Sequence, residues 1–104
     1  MAFVVYILRC ADGSYYVGHT DDLPARIELH NAGRGAAWTA RRQPVALLYQ
    51  EPQSDEVAAT SREAQIKRWS RAKKEALIAG DLQGLHELSR RRQTQAEPKQ
   101  AWDG

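Results

Sequence analysis

Cysteine is almost absent from this chain. A single thiol, Cys10, among 104 residues excludes an internal disulfide framework and a C-x-x-C zinc site. Long apolar runs are also missing, and no stretch approaches the roughly 18 residues of a membrane span. Ala2 to Leu8 is apolar but lacks the basic leader and small-residue cleavage site of a secretory signal. The expectation is a protein of the reducing cytoplasm with no membrane partner. There is no internal repeat. The length suits one domain with a modest core and not two.

Excess charge of one sign is confined to one place. Residues 1–61 hold five Lys or Arg against seven Asp or Glu, and residues 75–104 hold four against five. Residues 62–74 hold Arg62, Lys67, Arg68, Arg71, Lys73 and Lys74 against Glu63 alone. The net charge of +2 is therefore a local basic block, the signature of an anionic partner or of a solvated helix face.

The N-terminal segment reads as a hairpin. Residues 3–10 are mostly β-branched and apolar, Ala11-Asp12-Gly13 is a turn signal, and Tyr15-Tyr16-Val17-Gly18 resumes the strand pattern. A three-residue loop with Gly13 left-handed pairs Cys10 with Ser14, Leu8 with Tyr16 and Tyr6 with Gly18. That register sets Tyr6 and Tyr16 diagonally on one face, and the glycine opposite Tyr6 leaves room above the strand. A helix follows over 20–33, with Asp21 expected as N-cap, Pro24 in its first turn, Leu23 and Ile27 as the buried stripe, and Asn31 and Gly33 as the stop. Arg26 and His30 flank that stripe. A helical turn is expected over 36–42, a strand over 45–49, and a helix capped by Ser54 or Asp55 running to about Ser70. A further helix is expected over 71–79, ended by Gly80, then a short one from Asp81 through Leu88. Residues 89–104 lack periodicity and read as a disordered tail, leaving 1–88 as the single domain.

Singly, the candidate residues have ordinary explanations. Tyr6 and Tyr16 suit half-buried strands, Arg26 a solvated helix, and His30 the charge complement at a helix C-terminus. Cys10 is a small strand residue, Trp38 is read as core before base stacking, and Trp69 as packing. Glu63 stands apart. Ala59, Glu63, Ile66 and Ser70 share the inward helix face, and a carboxylate there needs a partner. That partner is a cation such as Arg26 in one reading and a metal in the other. One carboxylate is a poor calcium cage but suits magnesium, which keeps its waters and takes phosphate oxygens. Two phenols, a guanidinium, an imidazole and a carboxylate are together the parts for hydrolysing a phosphodiester with one divalent metal. A phosphate backbone would run over Lys67, Arg68, Arg71, Lys73 and Lys74, with Arg34, Arg41 and Arg42 as a second basic edge.

The ordered set Val4-Val5-Tyr6, Tyr16-Val17-Gly18, Leu23-Pro24-Ala25-Arg26, His30 and Glu63-Ala64-Gln65-Ile66-Lys67-Arg68 resembles the GIY-YIG nuclease superfamily, in its small stand-alone bacterial branch. The resemblance spans about residues 3–79. Val4 stands where the family motif has glycine, and the asparagine that many members place after the glutamate has no counterpart. The resemblance implies an α/β fold of the α+β kind, a three-stranded antiparallel sheet flanked by helices. It also implies Mg²⁺-dependent cleavage of DNA strands, with Mn²⁺ as a substitute, of the kind used in repair and recombination. Carried over residue by residue, Tyr6 and Tyr16 match the motif tyrosines, Arg26 the motif arginine, His30 the helix histidine and Glu63 the metal ligand. Tyr6 would take a proton from the attacking water, which requires its phenol pKa to be lowered. Arg26 would brace the phosphorane, and His30 would orient a tyrosine or relay the proton. A non-catalytic nucleic-acid-binding module on the same scaffold is the alternative, and an adaptor docking a larger repair protein is a third reading.

Overall fold

The loop length decides the hairpin. The structure, a computed structural model, describes the backbone of residues 2–96 and the side chains of residues 2–90. Strands β1 (Phe3–Arg9) and β2 (Tyr15–Thr20) are antiparallel, with Leu8 opposite Tyr16 and Tyr6 opposite Gly18. Gly13 takes a φ of +86°, a conformation that side chains with a Cβ rarely adopt. Cys10 N–H donates to Ser14 O at 2.8 Å, and Asp12 Oδ1 accepts from Ser14 N–H and from the Ser14 hydroxyl. The three-residue loop thus holds the expected register, and both tyrosines point to the same side.

Strand β3 (Ala46–Gln53) pairs with the other edge of β1, giving the antiparallel order β2-β1-β3. It runs four residues past the expected end at Tyr49, through the polar stretch Gln50-Glu51-Pro52-Gln53. Pairing with Phe3 to Tyr6 overrides weak strand propensity there. Because Cys10 donates to Ser14, the even-numbered residues of β1 turn their amides to β2 and the odd-numbered ones to β3. Pro52 lies opposite Val4, so its ring nitrogen faces away from β1, where a missing N–H breaks no bond of the ladder.

Helices cover both faces of the sheet. Leu23 and Ile27 of α1 (Leu23–Asn31) pack on a core of Tyr6, Leu8, Cys10 and Val45. The α1 N-cap is Asp22, which accepts from Ala25 N–H at 3.2 Å, so Asp21 is outside the helix and Pro24 takes its second position. Asn31 Oδ1 accepts from Val45 N–H, tying the end of α1 to the approach of β3. A single turn, α2 (Ala37–Ala40), follows. On the opposite face, α3 (Glu56–Lys67), capped by Asp55, lies against all three strands. Val5 and Ile7 on that face, and Ala59 and Ile66 of α3, are fully buried.

A polar network anchors α3. Arg62 reaches Glu51 with Nε at 2.7 Å and Nη2 at 3.2 Å, while Tyr49 and Gln53 also donate to that carboxylate. Burial alone would raise the Glu51 carboxyl, but the bonds from Arg62 and Tyr49 outweigh it and hold it below its ordinary value. Burial first, then the bond to Glu51, pushes the Tyr49 phenol up to about 12.

The chain divides into two units, residues 1–68 and 69–104. In the second, α4 (Arg71–Ala79) is capped by Ser70 and ended by Gly80 at φ +73°, as expected. Helix α5 (Leu82–Ala96) begins after Asp81, whose carboxylate accepts from Gly84 N–H. It continues eight residues past Leu88, so residues 89–96 are helical and not tail. Residues 97–104, with Trp102, lie outside the described residues. Arg90 to Gln95 has no apolar stripe but holds several good helix formers and no breaker. No helix among the described residues is long and apolar enough to cross a membrane.

The network predicts an acid-sensitive contribution to stability. Glu51 has a folded pKa below its ordinary 4.5, so its contribution is complete above that value and is lost as pH falls through the folded pKa. Glu51→Gln should cost about 1–3 kcal/mol near neutral pH, and the gap to wild type should close on acidification below 4.5. Thermal melts across that range check this. A gap independent of pH would show that the charge at Glu51 contributes nothing.

Candidate active site

His30, in the last turn of α1, is fully buried, as is Tyr6 within a per cent. Tyr6 Oη lies 3.0 Å from His30 Nε2. His30 Nδ1 lies 2.8 Å from the hydroxyl of Thr39, a fully buried residue of α2. The Tyr16 ring meets His30 edge-on with centroids 5.0 Å apart and stands 6.4 Å from Tyr6. Arg26, one turn before His30, is half-buried, and its charge acts on the Tyr6 phenol. Tyr6, Tyr16, Arg26 and His30 are therefore together on one face of the sheet. His30 is not the exposed charge complement of a helix end. Burial first, and then the Arg26 charge, lowers its pKa and favours the neutral ring.

The phenol of Tyr6 is not lowered towards neutrality. Burial, then the neighbouring Tyr16, push it up to about 12, with Arg26 pulling the other way and the Glu63 charge adding to the rise. In this arrangement Tyr6 is a protonated hydroxyl bonded to a neutral imidazole. Two glycines make room for it. A Cβ on Gly18 would lie 2.6 Å from Tyr6 Oη and 2.7 Å from Cζ, and one on Gly35 would lie 2.6 Å from His30 Cγ.

Glu63 comes from α3, which covers the other face, and its partner is not Arg26. Its carboxylate accepts from His19 Nδ1 at 2.5 Å and from Lys67 Nζ, one helical turn on, at 2.7 Å. Burial would raise its pKa, but Lys67 and His19 outweigh that and keep it ionised. The charge on Glu63 acts on the Tyr6 phenol, and Tyr16 contributes to the raised pKa of Lys67. The carboxylate therefore acts on Tyr6, while Tyr16 acts on its partner Lys67. No group of three or more His, Cys, Asp or Glu that could hold a metal lies among the described residues. An ionised, mostly buried carboxylate with one imidazole beside it falls short of a closed protein cage and fits Mg²⁺, which keeps waters and adds substrate oxygens.

The sequence did not point to His19 or Thr39. His19 lies opposite Val5, on the face away from the tyrosines, and only the position of α3 brings it to Glu63. Thr39 sits in a short turn with no pattern of its own. Period-two alternation in β2 was the one available signal for His19, since it groups that residue with the face α3 must cover.

The basic residues divide. Arg34, Arg41, Lys67 and Arg68 are exposed in the first unit, with Lys67 on Glu63. Arg42 is not part of a free basic edge. Its Nε bonds Asp12 at 2.9 Å, its Nη1 donates to Trp38 O, and its guanidinium stacks 3.6 Å over the Trp38 ring. Trp38 itself is 45% exposed and donates to Ser14 Oγ, so it is a surface residue and not core. In the second unit Arg71 is exposed and pairs with Glu75. Lys73 is buried with its ammonium 4.4 Å from the Trp69 ring, which removes it from a solvated face. Lys74 is half-buried, and burial, then Arg71, lower its pKa.

A three-stranded antiparallel sheet with helices on both faces, carrying paired tyrosines, a helix arginine and histidine, and a glutamate at the edge, defines a nuclease-type α/β scaffold. The chain matches the GIY-YIG catalytic domain over residues 2–76. It is 47% identical over 76 residues to a UPF0213 protein of Lacticaseibacillus paracasei, covering 73% of this chain and 85% of that one. A UPF0213 protein of Staphylococcus aureus is 49% identical over 74 residues, covering 71% and 90%. Among solved structures, the UPF0213 protein of Bacillus halodurans is 40% identical with a TM-score of 0.50, covering 76% of this chain and 84% of that one. A protein from E. faecalis is 35% identical with a TM-score of 0.55, covering 77% and 85%. This chain belongs to the GIY-YIG superfamily, together with the UPF0213 proteins it resembles. The family-model match points to nuclease chemistry in general.

The close approach at Gly18 gives a prediction. Gly18→Ala should destabilise the chain by about 1–3 kcal/mol and part Tyr6 from His30. Thermal melting and the NMR signals of the His30 ring would report the two effects. Wild-type behaviour in both would mean that the strand has room for the methyl group.

Proposed function

We propose that this protein is a Mg²⁺-dependent endonuclease that hydrolyses DNA phosphodiester bonds, choosing its substrate by structure more than by sequence. The observation that supports this best is the buried Tyr6–His30 hydrogen bond, flanked by Tyr16 and Arg26. A protonated phenol bonded to a neutral imidazole is a two-step proton acceptor. As water attacks phosphorus, Tyr6 Oη takes the water's proton while passing its own to His30 Nε2, so no free phenolate is needed. The new P–O bond forms and the bond to the 3′ oxygen breaks, with the leaving oxygen protonated by solvent. The imidazolium then returns its proton to solvent. Arg26 would brace the charge that builds on the phosphate oxygens, and Tyr16 packs edge-on against the ring of His30. Glu63 would hold the metal, exchanging part of its pairing with Lys67, and the Mg²⁺ would supply Lewis-acid stabilisation of the charge on the phosphate.

The closed ion pairs of Glu63 with His19 and Lys67 favour a second reading, a nucleic-acid-binding module without turnover. Cleavage separates the two. Purified protein should nick supercoiled plasmid with Mg²⁺ and not with EDTA, and Glu63→Gln should abolish nicking while leaving fold and most binding intact. Tyr6→Phe should lose activity without losing affinity, and Arg26→Ala should cost about 10²-fold or more. Absence of nicking with Mg²⁺ or Mn²⁺, or full activity of Glu63→Gln, rejects the nuclease in favour of the binding module.

Binding should weaken steeply with salt, with a log–log slope near −0.9 for each duplex phosphate neutralised. Replacing the exposed Arg34 and Arg41 together should flatten that slope, whereas Lys73→Ala should leave it unchanged because that ammonium is buried. A slope indifferent to the arginine pair would remove them from the interface.

A further inference from the structure

The direction of the proton in the Tyr6–His30 bond depends on which ring nitrogen of His30 carries hydrogen. Thr39 and Tyr6 bear on this together. The Thr39 hydroxyl has one proton and two neighbours. One is the carbonyl of Ala36 at 3.2 Å, which only accepts. The other is His30 Nδ1 at 2.8 Å. If the hydroxyl proton goes to the carbonyl, the hydroxyl oxygen is left as an acceptor, and Nδ1 must bring the hydrogen. Nε2 is then a bare lone pair facing Tyr6 Oη at 3.0 Å. Every polar atom in the chain Tyr6–His30–Thr39–Ala36 is satisfied in one direction. In the opposite tautomer Thr39 would turn its proton to Nδ1, leaving the Ala36 carbonyl with Ala40 N–H, but the buried Tyr6 hydroxyl would lose His30 Nε2 as its acceptor.

We propose that Thr39 is a positioning residue that locks His30 in the Nδ1–H tautomer, leaving Nε2 to accept the Tyr6 hydroxyl proton. Thr39 does not touch the reacting atoms. It acts through His30, as an orienting group acts on a histidine base. With the other tautomer, Nε2–H would donate to Tyr6 Oη, and the phenol would have no acceptor to which it could pass its own proton. Gly35, whose backbone packs against the His30 ring, keeps the ring from rotating away from the hydroxyl. The consequence for turnover rests on the nuclease reading. The tautomer itself does not.

The test is ¹⁵N NMR of histidine-labelled full-length protein, with the His30 signals assigned against His19 and His86 by a His30→Gln variant. Wild type should show Nδ1 protonated and Nε2 not. Thr39→Val, which keeps the shape and removes the hydroxyl, should move His30 to the Nε2–H form or to a mixture. Thr39→Ser should restore the wild-type pattern. In the plasmid assay, Thr39→Val should lower kcat by about 10²-fold with little change in KM, and Thr39→Ser should recover it. A wild-type His30 protonated at Nε2, or a Thr39→Val protein still purely Nδ1–H, overturns the proposal. Should Thr39→Val fail to fold, the wild-type and Thr39→Ser spectra decide it, because either one showing Nε2–H overturns it. The expected tautomers in a wild-type protein that cleaves nothing would reject the nuclease and sustain the role of Thr39.

Discussion

An imidazole sealed in a protein core must have both of its nitrogens partnered, since an orphaned polar atom there costs about 1–3 kcal/mol. His30 meets that requirement with Tyr6 on one side and Thr39 on the other. The three residues belong to β1, α1 and α2, so one ring ties the central strand to two helical segments. The alignment also needs the small residues around it. Gly18 admits the phenol and Gly35 admits the ring, so the bond is held by backbone shape as well as by its own strength. The same geometry that stabilises the core is the geometry that a proton acceptor needs.

The second half of the site is built from the other side of the sheet. Glu63 is presented by α3, and α3 is held in place by Arg62 on Glu51 and by buried Ala59 and Ile66. Carboxylate and phenols are therefore carried on opposite faces of the sheet. Their influence on one another is electrostatic, seen in the rise that Glu63 adds to the Tyr6 pKa.

The parts legible in the sequence were those set by local rules. Ala11-Asp12-Gly13 dictates a loop length, the loop dictates the register, and the register places Tyr6 and Tyr16 on one face. The four-three spacing of Ala59, Glu63 and Ile66 identifies the inward side of α3, whereas Ser70, expected to end that helix, caps α4 instead. What was not legible depends on contacts between distant segments. Arg42 reaches back to Asp12, thirty residues away, and carries Trp38 to the surface with it. His19 finds Glu63 only because α3 lies over its face. Polar stretches also mislead, because Gln50 to Gln53 becomes strand through its neighbour and Ser89 to Ala96 becomes helix without an apolar stripe.

Pro52 carries a consequence for the life of the protein at high concentration. A sheet of three strands has two open margins, and an unpaired margin is a template on which a second chain can add. On β3 the outward-facing position opposite Val4 is a ring nitrogen with no hydrogen to give. A strand docking there would leave one of its carbonyls without a donor, at the point where a continuous ladder would have to begin or pass. The margin is thereby made a poor seed for fibrils, by one residue and without loss of any bond within the sheet.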